Sequence, residues 1–153
     1  MKIVIASSNK HKIAEIAARC ADIPGILFVP VHDIIRLGEI EENGISFEEN
    51  ALIKARAVRD ATNLPSLADD SGLVIDSLGG EPGIYSARYG GLSSDAERNT
   101  FVLSRMESVA DYLRTARFAC VLALAFPDGR EYVVRGECEG SILRHSRGVG
   151  GFG

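Results

Sequence analysis

The sequence of 153 residues has no tryptophan and only three cysteines, Cys20, Cys120 and Cys138. These cysteines are widely spaced and form no C-x-x-C pair, so they indicate neither a disulfide framework nor a zinc site. No apolar run approaches the roughly 18 residues that span a membrane. Positive charge is also scarce, because 17 lysines and arginines against 21 acidic residues leave a net charge of -4. These absences predict a cytoplasmic domain with neither a membrane nor a nucleic-acid partner.

The order of hydrophobic patterns predicts one α/β domain over residues 1–153, with a mixed twisted central sheet flanked by helices. Lys2–Ala6 is an apolar run typical of a strand, and from Lys10 the apolar residues recur at helical spacing. Two more helices are predicted to begin at capping boxes, in which a serine and a glutamate satisfy backbone N–H groups. These boxes are Ser46–Glu49 and Ser94–Glu97, and further strands are predicted at Ile26–Val29, Ser66–Ala68, Gly72–Leu78, Arg117–Phe126 and Arg130–Ile142.

The first segment with useful chemistry is Ser7-Ser8-Asn9-Lys10-His11-Lys12, where the first strand gives way to the first helix. Backbone amides at a helix start, hydroxyl groups and lysines together make a good anion cradle. The segment lacks the glycine pattern of a Walker A loop. On its own it is equally typical of a helix N-cap followed by a solvated basic turn, which is the simpler interpretation.

The second segment is an acidic stretch containing Glu39, Glu41 and Glu42. Like charges at this density are usually just a solvated surface. Carboxylates that converge on one point can also hold Mg²⁺, normally one or two of them with water and substrate phosphate completing the shell. Glu41 and Glu42 have no evident structural role, so both are candidate ligands.

The third segment is Asp69-Asp70-Ser71-Gly72, which follows a short apolar run. Adjacent side chains on a strand point to opposite faces, so the two aspartates share a site only if the backbone turns there. An aspartate at a strand end suits a metal ligand or a general base, although an Asx turn explains it equally well. Together with the glycine-rich stretch 79–83, the three segments indicate metal-assisted phosphate chemistry on a nucleotide.

Four motifs resemble those of the inosine triphosphate pyrophosphatases, also described as XTP/dITP diphosphatases, in that family's order and spacing. They are Ser8-Asn9-Lys10-x-Lys12, the stretch 46–55, Ala68-Asp69-Asp70-Ser71-Gly72-Leu73 and the stretch 78–89. The resemblance covers essentially the whole chain. It implies two lobes with a cleft between them and a Mg²⁺-dependent homodimer. It also implies hydrolysis of ITP, dITP or XTP to the monophosphate and pyrophosphate, which cleans the nucleotide pool.

The resemblance also implies roles for individual residues. Asp70 would be the proton acceptor and a Mg²⁺ ligand, and Glu41 would be the second metal carboxylate. The implied substrate-binding residues are Ser7, Ser8, Asn9, Lys10, His11, Lys12, Ser71, Phe152 and Gly153.

The sequence ends within the family's Gly-Gly-Phe-Gly-Tyr-Asp motif, so we expect a longer parent enzyme with a further C-terminal strand and helix portion. A non-catalytic nucleotide-binding or dimerising module is therefore the alternative function for the 153 residues. An enzyme of the dTTP/UTP pyrophosphatase type would need different motifs. A phosphatase that forms an aspartyl phosphate has its paired aspartates two residues apart, whereas Asp69 and Asp70 are adjacent.

Overall fold

The structure is a computed structural model that describes residues 1–147. It has an α/β fold, as the sequence predicts. The strands are β1 (Lys2–Ile5), β2 (Leu27–Pro30), β3 (Ser66–Ile75), β4 (Thr115–Ala125) and β5 (Glu131–Ser141), and the α-helices are α1 (Lys10–Arg19), α2 (Phe47–Thr62) and α3 (Asp95–Arg105). Short 3₁₀ helices cover residues 31–33, 76–78, 83–91 and 111–113. No helix within residues 1–147 is both long and apolar enough to cross a bilayer.

The five strands form one mixed sheet in the order β2-β1-β3-β4-β5. β1 is parallel to both of its neighbours, with Ile5 opposite Pro30 of β2 and Leu67 of β3. β4 and β5 form an antiparallel hairpin, closed by a 2.9 Å hydrogen bond from the Phe126 N–H to the Arg130 carbonyl. Beyond β1, the Ala6 N–H donates to the Leu67 carbonyl at 2.8 Å. The loop that follows β1 therefore begins beside the part of β3 that carries Asp69 and Asp70.

The chain divides into two compact units, each with its own apolar residues. The first contains Met1–Asp70 and Val121–Arg135, and the second contains Ser71–Cys120 and the described residues from Gly136 onward. In the first unit, the buried residues of β1 and the small residues of α2, such as Ala51 and Ala55, are almost completely removed from water. The core of the second unit is formed by Ile75, Tyr89, Val102, Met106 and Ala116.

The sequence predicts two strands separated by a turn at Asp69–Ser71. This prediction is wrong, because β3 is one continuous strand from Ser66 to Ile75. Asp, Ser and Gly are weak strand formers and common turn residues, which is why the local sequence suggests a turn. β3 lies in the middle of the sheet, however, where strands pair on both sides. Strand pairing therefore overrides the local preference, and the two aspartates lie inside a buried strand rather than at its end.

The two predicted capping boxes have different outcomes. At Ser94 the box is complete, since the Ser94 Oγ accepts from the Glu97 N–H and the Glu97 carboxylate accepts from the Ser94 N–H. At α2 the Ser46 Oγ accepts from the Glu49 N–H at 3.1 Å, as predicted. The Glu49 carboxylate instead accepts from the Ile45 N–H at 2.8 Å, one residue earlier than a capping box requires. Glu49 thus helps to fix the loop that enters α2.

Candidate active site

The loop after β1 is closed by its own helix cap. The Asn9 Oδ1 accepts from the backbone N–H groups of His11 at 2.9 Å and Lys12 at 3.3 Å. The Ser7 Oγ accepts from the Asn9 N–H at 3.2 Å. The N-cap interpretation of this segment is therefore confirmed, and Asn9 already satisfies two of the amides that an anion cradle would use. Ser8, Lys10 and His11 are exposed.

A partly buried ion pair links the start of α1 to β3. The Lys12 Nζ lies 2.6 Å from the Asp69 Oδ2, and the Asp69 side chain is only 8% exposed. Removing one partner of this pair would leave the other as an uncompensated charge with little access to water. Asp69 is thus charge-compensated from α1, on one face of the strand.

Asp70 is compensated from a different helix, as the alternation of side chains along a strand requires. Its Oδ1 accepts from the Lys54 Nζ at 3.2 Å, and Lys54 is a residue of α2. The same Lys54 Nζ lies 3.4 Å from the Glu42 Oε1 in the acidic loop. A single ammonium group therefore holds two carboxylates from distant parts of the sequence close together.

The second carboxylate oxygen of Asp70 is different from the first. The Asp70 Oδ2 is buried and has no hydrogen-bond partner among residues 1–147. Burial raises the pKa of the Asp70 carboxyl above its ordinary value, against the opposing effect of the Lys54 charge, and the nearby Glu42 raises that pKa further. A buried carboxylate with one free oxygen and a raised pKa is suited to bind a cation or to accept a proton.

Asn50, in the first turn of α2, contacts the loop two residues after Glu42. It is completely buried, and its Oδ1 accepts from the Gly44 N–H at 2.8 Å. Its amide lies beside Asp70 and lowers the pKa of that carboxyl. Gly44 suits this contact because a Cβ there would lie only 2.7 Å from the Asn50 Oδ1. The end of the acidic loop is therefore fixed to α2 at close range.

The structure brings together only some of the residues expected from the sequence. It places Glu42, rather than the exposed Glu41, beside Asp70. Ser71 follows Asp70 directly in β3. The other two expected substrate contacts, Phe152 and Gly153, lie outside the described residues.

Sequence reasoning missed the parts played by Asn50 and Lys54. Both lie within the family-like stretch 46–55, and they are four residues apart in α2, so they occupy the same face of that helix. That spacing, next to a run of acidic residues, was the available signal. What it could not supply was the position of Asp70 in the fold.

The donor atoms at this site fit a hard divalent cation. Within residues 1–147, no group of three or more His, Cys, Asp or Glu side chains is arranged to hold a metal ion. Asp70 and Glu42 nevertheless offer two carboxylates, and Mg²⁺ is usually bound through one or two carboxylates with water and phosphate oxygens. The Asp70 Oδ2 is a buried ligand atom that no hydrogen-bond donor among residues 1–147 occupies.

Known proteins are similar to this sequence over nearly its whole length. Residues 3–153 match the sequence model of the Ham1 family. The dITP/XTP pyrophosphatase of Geobacter sulfurreducens is 49% identical over 99% of this chain and 76% of its own length. A dITP/XTP pyrophosphatase of Thermus thermophilus is 48% identical over 100% of this chain and 73% of its own length.

Solved structures show the same relationship. The structure of a HAM1 protein from Coxiella burnetii has a TM-score of 0.91 and 43% identity, covering 100% of this chain and 78% of that one. A nucleoside-triphosphatase / dITP/XTP pyrophosphatase from Mycobacterium abscessus has a TM-score of 0.87 and 42% identity, covering 100% of this chain and 80% of that one. The relationship expected from the sequence motifs is confirmed, and the chain belongs to the Ham1 family.

Proposed function

We propose that this chain hydrolyses dITP and XTP to the nucleoside monophosphate and pyrophosphate, and that Mg²⁺ is its cofactor. Relatives named dITP/XTP pyrophosphatase, 49% and 48% identical to nearly the whole chain, support this type of enzyme. The observation that carries the proposal is the buried Asp70 carboxylate, which lies near a second carboxylate and has one oxygen without a hydrogen-bond partner in the described part of the chain.

Asp70 and Glu42 are the residues that would hold the metal ion. The resemblance implies Glu41 for the second position, but Glu42 is the one that shares Lys54 with Asp70, so the geometry favours Glu42. When bound, Mg²⁺ neutralises negative charge on the phosphate oxygens. Lys54 keeps the two carboxylates close by offsetting their mutual repulsion.

Asp70 is also the group that would accept a proton. A water oxygen forms a bond to the α-phosphorus, while the bond from that phosphorus to the bridging oxygen breaks and pyrophosphate leaves. The proton lost by the water passes to the Asp70 carboxylate, whose raised pKa makes it a better base than an exposed aspartate. Burial of the carboxylate also limits competition from bulk water.

The loop of Ser7, Ser8, Asn9, Lys10, His11 and Lys12 is our proposed triphosphate-binding segment. It begins beside β3, where the hydrogen bond from Ala6 to Leu67 places it next to the aspartates. Its exposed members include the cation of Lys10, and Lys12 is already held on Asp69. Anions favour such basic segments at the start of a helix. Ser71, Phe152 and Gly153 complete the proposed contacts.

Product analysis tests the proposal directly. The purified chain is incubated with Mg²⁺ and dITP, XTP, dGTP or dTTP, and pyrophosphate and orthophosphate are measured separately. We expect pyrophosphate from dITP and XTP, with much slower release from dGTP and dTTP. Orthophosphate alone would contradict the proposal. If ITP raises the melting temperature without any turnover, the chain is instead a nucleotide-binding module.

We also propose a homodimer, on the strength of the resemblance, and a cytoplasmic location, on the three widely spaced cysteines. Light scattering on the purified chain measures the molar mass that a dimer requires. A mass equal to that of one chain at all accessible concentrations would contradict the dimer but leave the hydrolysis unaffected.

A further inference from the structure

The acidic loop and Asp70 are far apart in the sequence, and α2 contacts both of them, through Asn50 at the end of the loop and through Lys54 at Asp70. We propose that Asn50 is a positioning residue whose carboxamide fixes the loop that carries Glu42 relative to Asp70, so that the two carboxylates can share one cation. The inference deepens the proposed function and rests on it for the identity of the two carboxylates.

The first support is the contact between Asn50 and the loop. The Asn50 Oδ1 accepts from the Gly44 N–H at 2.8 Å, two residues after Glu42. The loop lies so close to α2 that a Cβ on Gly44 would be 2.7 Å from both the Asn50 Oδ1 and the Glu49 Cβ. This hydrogen bond therefore fixes the distance between the loop and α2.

The second support is a pair of buried polar atoms, one on Asn50 and one on Asp70. The Asn50 Nδ2 is a buried donor and the Asp70 Oδ2 is a buried acceptor, and neither has a hydrogen-bond partner among residues 1–147. Asn50 and Lys54 lie on the same face of α2, and the Lys54 Nζ donates to the Asp70 Oδ1 at 3.2 Å, so the buried Asn50 amide is on the side of the helix that contacts Asp70. A hydrogen bond from this amide to the carboxylate would satisfy both atoms. The amide would then orient the carboxylate and leave its other lone pairs for a cation, as groups around metal ligands commonly do.

Lys54 does not make Asn50 redundant. Its ammonium group attracts Glu42 and Asp70 from any direction, since a point charge imposes little geometry. The planar carboxamide of Asn50 instead binds the backbone of one segment through its oxygen and faces the second segment with its nitrogen. Lys54 supplies the attraction between the two segments, and Asn50 supplies their spacing.

The test measures metal affinity rather than stability alone. Free Mn²⁺ is followed by electron paramagnetic resonance while it is titrated into the wild-type chain, Asn50→Ala and Ser66→Ala. Ser66 is the matched control, since it too is completely buried and its Oγ has no partner among residues 1–147. We expect the Kd for Mn²⁺ to rise tenfold or more in Asn50→Ala and to stay within twofold in Ser66→Ala. A Kd within twofold of wild type in Asn50→Ala would overturn the proposal.

Gly44→Ala provides a second route that holds even if Asn50→Ala fails to fold. The added methyl group must push the loop away from the Asn50 Oδ1, while every carboxylate and Asn50 itself remain in the chain. We expect the same loss of Mn²⁺ affinity. Where Asn50→Ala folds, the double variant should bind no more weakly than either single variant, because both changes break one interaction. Wild-type affinity in Gly44→Ala, or fully additive losses, would refute the positioning role.

Turnover of dITP by the wild-type chain is measured in parallel, so that the two proposals can fail separately. If the wild-type chain releases pyrophosphate and Asn50→Ala keeps its Mn²⁺ affinity, only the role of Asn50 fails. If the wild-type chain releases no pyrophosphate, the proposed function fails. The ratio of the Mn²⁺ Kd of Asn50→Ala to that of the wild-type chain still tests the role of Asn50. A wild-type chain that binds no Mn²⁺ would also overturn the inference about Asn50.

Discussion

One helix, α2, neutralises two carboxylates in different ways. The Glu131 carboxylate accepts hydrogen bonds from two guanidinium groups. Arg56 donates at 2.8 and 2.6 Å, and Arg59 donates at 3.1 Å. Asp70 accepts from Lys54 alone, at 3.2 Å, and keeps one oxygen without a partner among the described residues. The pKa of Glu131 is lowered by its arginine hydrogen bonds, whereas the pKa of Asp70 is raised by burial.

The difference separates a structural carboxylate from a reactive one. The ionised form of Glu131 is favoured by folding, so its contacts stabilise the protein and leave little capacity for new ligands. The ionised form of Asp70 is disfavoured by folding, so a cation that enters the site relieves an existing penalty. The same helix, α2, therefore stabilises the fold through Glu131 and keeps Asp70 available to bind a cation.

The largest expected effect is that of Asp70→Asn. The change removes the proposed base and metal ligand while keeping the volume of the side chain, so kcat should fall roughly a thousandfold or more. Because folding raises the pKa of Asp70, its charge destabilises the fold at neutral pH, and the neutral variant should be at least as stable as wild type. Pyrophosphate release and urea unfolding at pH 7 check the two parts.

Glu131→Gln is the matched control for that prediction, since it also turns a carboxylate bound to α2 into an amide. We expect near-normal turnover and a lower stability, the reverse of Asp70→Asn. If both variants lost activity and stability together, the proposed contrast between the two carboxylates would be wrong.

Replacing Lys54 should have an intermediate effect. In Lys54→Met the carboxylates of Glu42 and Asp70 lose the charge that offsets their repulsion. Lys54 lowers the pKa of Asp70, so its removal should move the acid limb of the pH–rate profile to higher pH. We also expect kcat/KM to fall about tenfold to a hundredfold at pH 7. An unchanged acid limb would show that Asp70 does not govern the profile.

The smallest effect is the pH dependence of the Glu131 contribution to stability. The pKa of Glu131 is lowered from its ordinary value of 4.5 in the folded chain. Its contribution is therefore complete above pH 4.5 and disappears as the pH falls through the lower folded value. Glu131→Gln should lower the free energy of unfolding by about 1 kcal/mol at pH 7 and by clearly less near pH 3. Urea titrations at both pH values measure this, and an equal loss at both would contradict the ionic origin.

Much of the fold could be predicted from the sequence because it is encoded locally. The start of α1 at Lys10 and the complete capping box at Ser94 follow from the side chains of a single turn. The continuous β3 could not be predicted in this way. Asp69 and Asp70 are neutralised by Lys12 and Lys54, 57 and 16 residues away along the chain. Without those partners in view, two adjacent aspartates indicate a turn.

The candidate site was predictable in kind but not in detail. The motif containing Asp70 indicated a metal-binding carboxylate, but the resemblance implied Glu41 as the second ligand, whereas Glu42 is the residue that shares Lys54 with Asp70. The choice depends on which side chain reaches Lys54 across the loop, and that depends on the hydrogen bond between Asn50 and Gly44. A contact of this kind has no signature in composition or periodicity.

Carbon-13 NMR titration of the side-chain carboxyls tests the contrast most directly, with Asp70→Asn and Glu131→Gln used to assign the two resonances. We predict that Asp70 titrates above 3.8 and Glu131 below 4.5 in the same sample. Added Mg²⁺ should shift the Asp70 resonance and leave that of Glu131 in place. An Asp70 carboxyl that titrates at or below 3.8, or that does not respond to Mg²⁺, would contradict the account.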